Sequence, residues 1–197
     1  MRMPGPFVVA LLAAGSITSA TLAAAAISAP APPNRQVYTS IKELMESIID
    51  PSADVLWQAV GTVVDNKGFH DALPKTPEDW RAVRAAAVRM VEGSNLLMVP
   101  GRAAAPAGTR SEVPGVELEP GEIAALITKN RNSFDGFALA LQQVALQALR
   151  ASDAKNSALL MDAGGQMEEV CEGCHQAFWY PYAGAPQAAG PPRASKR

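Results

Sequence analysis

The sequence has few cysteines, few aromatic residues and no excess of positive charge. Its only two cysteines, Cys171 and Cys174, lie three residues apart, so the chain cannot form the long-range disulfides that stabilise many small secreted folds. Lysine and arginine number 17 against 19 aspartates and glutamates, so the chain lacks the basic field that nucleic-acid binding requires. We therefore exclude a disulfide-rich scaffold and predict no nucleic-acid partner.

Aromatic residues make up only 6% of the chain, and alternating runs of β-branched residues are scarce after the N-terminus. Alanine and leucine are abundant instead, and this composition favours helices over sheet. The length of 197 residues suits a single domain with one sizeable core. We predict an all-α domain over residues 38–182. No pair of carboxylates, nucleophile with a base or phosphate-binding loop argues for catalysis, so we do not expect an enzyme.

The N-terminal segment has the pattern of an export signal. Arg2 precedes an uncharged apolar stretch that continues into small residues and ends at Ala29, as in a cleaved secretory signal peptide. The uncharged run is also long enough to span a bilayer, so an uncleaved membrane anchor stays open. We expect a signal peptide over residues 1–29, a flexible lead-in over 30–37 and a disordered tail over 183–197. The protein would be periplasmic, and would contact the membrane only if the signal is retained.

Two amphipathic stretches occupy the first half of the domain. The first begins with a capping box at Ser40 and carries the apolar stripe Ile41, Leu44, Met45 and Ile48. Pro51 predicts a kink or a new start capped by Asp50, with the helix continuing through Val63. The second stretch begins with Thr76 as cap and Pro77 at the first helical position, and it ends near Pro100. Residues 101–118 read as a loop.

Two further stretches occupy the second half. The third starts near Pro120, and apolar residues recur in it every seven positions at Ile127, Phe134, Leu141 and Ala148. The fourth runs from about Asp153 to Phe178. Four amphipathic stretches of this length pack most simply as an antiparallel four-helix bundle.

The chemistry is carried by the string Cys171-Glu172-Gly173-Cys174-His175 on the last helix. Cysteine thiols add across the two vinyl groups of haem, and a histidine four residues after the first cysteine shares its helical face and can ligate the iron. This spacing is specific for c-type attachment, so we predict one covalently bound haem c. A dithiol redox site and a structural zinc site are the alternatives that the residues leave open.

A haem motif on the last helix of a four-helix bundle resembles the cytochrome c' family, and in particular its low-spin branch. The string from Val170 to Phe178 matches that family's motif, with an aromatic residue three positions after the histidine. The resemblance implies electron transfer with redox partner proteins. Relatives in that family often form homodimers, and nothing in this sequence tests whether this chain does. Family members commonly have arginine or lysine after that aromatic residue, whereas this chain has Trp179. Gas-ligand chemistry that needs such a cation is therefore in doubt.

The sixth position of the iron decides between two functions. The resemblance implies that the residue opposite His175 comes from the first helix, where Met45 is the matching candidate. A methionine there suits electron transfer, whereas an iron left five-coordinate would bind or sense small gases such as NO or CO. Four other methionines read as packing residues: Met90, Met98, Met161 and Met167. His70 reads as a solvent-exposed histidine.

An aromatic cluster follows the haem motif: Phe178, Trp179, Tyr180 and Tyr182. Such residues bury a large area that an alanine-rich helix cannot, so the cluster is expected to cover the haem edge and the open end of the bundle. A docking surface for a redox partner is the alternative interpretation.

Overall fold

The computed structural model describes residues 36–66 and 68–181, except for the side chains of residues 63–65. The predicted signal peptide, residues 30–35 of the lead-in, residue 182 of the predicted domain and the predicted tail lie outside this description. The described chain is mostly helical, as the composition predicts, with one small two-stranded sheet. No helix in the described part is both long enough and apolar enough to cross a membrane.

The first helical stretch contains a change of helix type. Helix α1 (Ile41–Leu44) begins with the predicted capping box: the Ser40 hydroxyl accepts a hydrogen bond from the Glu43 N–H, and the Ser40 N–H donates to the Glu43 carboxylate at 2.7 Å. A π-helical turn (Met45–Ile49) follows, and helix α2 (Asp50–Gln58) completes the stretch.

The predicted cap at Asp50 is wrong. Asp50 has helical backbone angles (φ −59°, ψ −47°), and its N–H bonds to the Met45 carbonyl five residues back. Pro51 has no N–H and its ring crowds the carbonyl four residues back, so a wide π turn just before it keeps the backbone helical through the proline.

The stretch after α2 is a β-hairpin rather than the predicted continuation of the helix through Val63. Strand β1 (Gly61–Asp65) pairs antiparallel with β2 (Gly68–Ala72), and Val63 lies opposite His70 in the backbone register. Gly61 opens the hairpin with φ +145°, a conformation that glycine adopts readily. The β-branched residues after Gly61 then suit a strand better than a helix.

Helix α3 (Pro77–Leu97) starts as predicted, with the Thr76 side chain accepting a hydrogen bond from Asp79 and Pro77 in the first turn. Two arginines hold its C-terminal end: Arg102 donates to the Leu96 carbonyl at 3.2 Å, and Arg131 donates to the Met98 carbonyl at 2.6 Å. Cations placed there satisfy free carbonyls and complement the helix dipole. The chain from residue 101 to 119 then has no helix, in agreement with the predicted loop.

The predicted third stretch is two helices, α4 (Pro120–Lys129) and α5 (Arg131–Asp153), separated at Asn130 (φ −119°, ψ 39°). The predicted start of the fourth stretch near Asp153 is also wrong, because α5 extends to that residue. Helix α6 (Ser157–Phe178) begins four residues later, where the Asn156 side chain accepts a hydrogen bond from the Leu159 N–H at 3.0 Å.

The helices share one apolar core. Helix α3 packs chiefly on α5, α5 on α6, and α2 on α3 and more lightly on α6. The predicted seven-residue row on α4 and α5 is buried along its whole length. Gly93 on α3 lies close to the first stretch, because a Cβ there would lie 2.6 Å from Ile49 Cδ1.

Candidate functional site

A cavity of about 270 Å³ lies beside the C-terminal end of α6. Met45 lines it from the π turn, Cys174 and His175 line it from α6, and residues 104–118 supply an irregular wall. Its apolar lining includes Ile127, Phe134 and Phe178, all of which are buried. The cavity therefore brings together three of the four residues that the sequence singles out.

Cys171 and Cys174 are half-buried free thiols one turn apart on α6. Burial raises the pKa of Cys171 to about 11, with a smaller contribution from the charge of Asp50. Burial likewise raises the pKa of Cys174 to about 12. A redox-active dithiol needs a lowered pKa, typically at the positive N-terminal end of a helix, whereas these thiols lie near the opposite end. Their environment argues against the dithiol alternative.

His175 is half-buried on the cavity wall. Burial lowers its pKa, while the nearby carboxylates of Asp50 and Glu172 act in the opposite direction. Because loss of water around it favours the neutral form, the imidazole keeps a lone pair for a metal ion. Partial loss of hydration also raises the pKa of Asp50, which lines the same cavity.

Met45 differs from the methionines predicted to pack. It is half-buried at the start of the π turn and lines the same cavity as Cys174 and His175. Met90 and Met167 are fully buried in the core, and Met98 packs against the core from its edge. Met161 is 48% exposed, so the prediction that it packs is wrong. A π turn is a frequent feature of functional sites, because the extra residue re-aims the side chains around it.

His70 does not belong to this cavity. It lies on strand β2 and is exposed, as predicted.

Residues 104–118 form a wall that the sequence did not reveal. This segment is bound to α1, because the Ile41 and Lys42 N–H groups donate to the Ala103 and Ala104 carbonyls at 2.8 and 2.9 Å. The Lys42 ammonium also binds Glu112 at 2.6 Å. These are non-local contacts between a helix start and a loop, and neither partner carries a sequence pattern that announces them.

The residues present fit a c-type haem. The two thiols and the imidazole lie on one helix with the required spacing, the lining is mainly apolar, and a thioether comes from a separate element. The volume is slightly below the range of about 300 to 1,000 Å³ that is usual for ligand sites.

Within the described part of the chain, no three or more histidine, cysteine, aspartate or glutamate side chains are grouped so as to hold a metal ion by themselves. No protein-family model matches the chain, and no curated protein or solved structure shows significant similarity to it.

Proposed function

We propose that the chain is an exported mono-haem c-type cytochrome that transfers electrons. The observation that carries this proposal is the cavity that Cys174, His175 and Met45 share. Met45 is far from the other two in sequence, and the attachment motif alone places no constraint on it. A ligand bound through α6 would therefore have a thioether available from a different element.

The fold we propose for this function is an antiparallel four-helix bundle like that of cytochrome c'. The contacts among the first stretch, α3, α5 and α6 support it, since each of these elements packs on two others. The seven-residue row in α4 and α5 is the kind of seam that such bundles use. The hairpin and the separate helix α4 would be additions to that plan.

Each site residue has a distinct task in this proposal. Cys171 and Cys174 would hold the haem covalently, and His175 and Met45 would be the residues that bind its iron. The bound haem supplies one-electron chemistry at its iron. A methionine thioether raises the reduction potential relative to a second nitrogen ligand. The buried apolar residues Phe134 and Phe178 keep water from the site, which favours the less charged, reduced state.

The proposed location is the periplasm, and the proposed partners are redox proteins. The support is the signal-like N-terminal sequence together with the attachment motif, since extracytoplasmic compartments are where haem is joined to thiols. A homodimer is part of the resemblance to cytochrome c' only.

Visible spectroscopy of the purified, reduced protein with and without carbon monoxide tests the electron-transfer function. Ligation by His175 and Met45 predicts a low-spin spectrum that carbon monoxide leaves unchanged, and an oxidised form with a methionine-to-iron charge-transfer band. Met45→Ala should abolish that band and allow carbon monoxide to bind. Met161→Ala is the matched control, because Met161 is exposed and should leave both spectra unaltered. A high-spin wild-type protein that binds carbon monoxide would instead support the gas-binding function.

A further inference from the structure

The imidazole of His175 is oriented without a polar partner. Within residues 36–66 and 68–181, no hydrogen bond or ion pair to its side chain is found. Metal-ligating histidines almost always donate their second ring N–H to a carboxylate, a carbonyl or water, and that bond fixes the plane of the ring. Contacts with neighbouring rings can also set the plane of an imidazole.

Two aromatic rings contact this imidazole. The indole of Trp179 lies 5.0 Å from it, centroid to centroid, at an interplanar angle of 89°, and the ring of Tyr180 lies 6.0 Å away at 58°. The two aromatic rings also contact each other at 5.5 Å. An edge-to-face arrangement is one of the preferred geometries of such pairs, so the contact with Trp179 favours this orientation of the imidazole.

Both rings are anchored by the backbone. The N–H groups of Trp179 and Tyr180 both donate to the His175 carbonyl, at 2.8 and 3.0 Å, and thereby end α6. The Trp179 carbonyl accepts a hydrogen bond from the Leu118 N–H at 2.9 Å, which joins the end of α6 to the cavity wall. The Tyr180 hydroxyl donates to the Glu172 carboxylate at 2.6 Å.

We propose that Trp179 and Tyr180 form an aromatic clamp that sets the orientation of the His175 imidazole. Both are positioning residues, because they would act through His175 rather than on the iron. The proposal rests on the proposed function, in which His175 is the axial ligand. It also assigns a role to the residue at which the chain departs from the cytochrome c' pattern, since Trp179 occupies the position of the usual cation.

The test is nuclear magnetic resonance of the full-length protein with labelled histidines. The protein is reduced, and it is saturated with carbon monoxide if the reduced iron is paramagnetic. The chain has only two histidines, so His70 on the hairpin is an internal control. The wild type should give nuclear Overhauser effects between the His175 ring and the rings of Trp179 and Tyr180. Trp179→Ala should abolish the nuclear Overhauser effects between the His175 ring and the indole. It should also split or broaden the His175 ring signals, because the ring loses its fixed orientation, and leave the His70 signals unchanged.

Two variants separate positioning from general loss of structure. Trp179→Phe keeps an edge-to-face ring, and Tyr180→Phe keeps its ring while losing the bond to Glu172; both should retain one set of His175 signals. A single, unshifted set in Trp179→Ala, at a melting temperature equal to that of Trp179→Phe, would overturn the clamp. Haem staining of the same samples judges the function separately. A colourless band from the wild type would refute the cytochrome function. The nuclear Overhauser effects between His175 and the two aromatic rings would still decide whether the clamp exists.

Discussion

The two halves of helix α6 face different surroundings. In the N-terminal half, Leu160, Ala163 and Met167 are at most 1% exposed and pack into the core. In the C-terminal half, Cys171, Cys174 and His175 are half-buried, and the last two line a cavity. One helix therefore supplies both a packing surface and a binding surface, with the change about two turns before its end.

This difference shows how a packed helix makes room for a ligand. The N-terminal half lies against α5 and the first stretch, where Trp57 donates a hydrogen bond to the Gly164 carbonyl at 3.0 Å. Around the C-terminal half, one wall of the cavity is the irregular segment 104–118, and helices supply the other walls. Helix-to-helix packing fills space closely, whereas an irregular wall leaves a cavity that a flat, apolar group can occupy.

The largest expected effect on stability is in the packed half. Met167 is completely buried, so Met167→Ala should lower the free energy of unfolding by about 2–5 kcal/mol, because it removes apolar contacts and leaves a cavity. Met161→Ala, on the same helix but 48% exposed, should change it by less than about 0.5 kcal/mol. Chemical denaturation measures both. Equal losses would show that α6 does not have a packed half.

Two glycines test packing against open space with the same substitution. A Cβ at Gly93 would lie 2.6 Å from Cδ1 of the buried Ile49, so Gly93→Ala should destabilise the fold by about 1–3 kcal/mol. Gly165 on α6 has nothing within 4 Å of an added Cβ, so Gly165→Ala should stabilise it by about 0.5–1 kcal/mol through helix propensity. Thermal or denaturant unfolding measures whether each variant raises or lowers the free energy of unfolding. A stabilising Gly93→Ala would contradict the close contact between α3 and the first stretch.

Met45 should behave as a site residue rather than a packing residue. Met45→Leu keeps the side-chain volume at a half-buried position, so the free energy of unfolding should change by less than about 1.5 kcal/mol. Denaturant unfolding followed by circular dichroism measures this change. The same variant removes the sulfur and should lose the methionine-to-iron band. A large loss of stability with an unchanged spectrum would make Met45 a core residue.

The smallest expected effect concerns the two cysteines at high pH. With haem attached, they should not lower the stability of the fold as the pH rises. Burial raises their pKa values to about 11 and about 12 from the ordinary 9.0, so free thiols would stabilise the fold below pH 9 and lose that contribution as the pH rises towards 11 and 12. Sulfurs joined to haem cannot ionise, so the mature protein should show no such loss. Denaturant unfolding between pH 8 and 11 checks this, with haem-free protein as the control. Equal alkaline losses in the two samples would indicate free thiols.

The sequence predicts the features of this fold that depend on local chemistry. The caps at Ser40 and Thr76 occur where the residue types require them, because a cap is formed within one helical turn. The sequence does not predict the break at Asn130, because apolar residues recur with the same period on both sides of it. It does not predict the hairpin after α2, because valine suits both a buried helix and a strand.

The site was predictable to a similar extent. Cys171, Cys174 and His175 stand out in the sequence because their spacing is itself the chemical requirement. Met45 is a candidate only through the resemblance to cytochrome c', and it lines the same cavity as Cys174 and His175. The wall of residues 104–118 is not predictable, since tertiary hydrogen bonds join it to α1 and to the end of α6. The contact of Trp179 with His175 is local, between residues four apart, and only the angle between the two rings needs the structure.

Covalent attachment of haem through Cys171 and Cys174 is the central claim, and a haem-stained denaturing gel tests it most directly. Protein from cells competent in haem attachment should give a coloured band after boiling in detergent, and Cys171→Ala with Cys174→Ala should abolish the colour. Intact mass should show the addition of one haem to the wild type. A colourless wild-type band, with two thiols free to react after denaturation, would contradict the account.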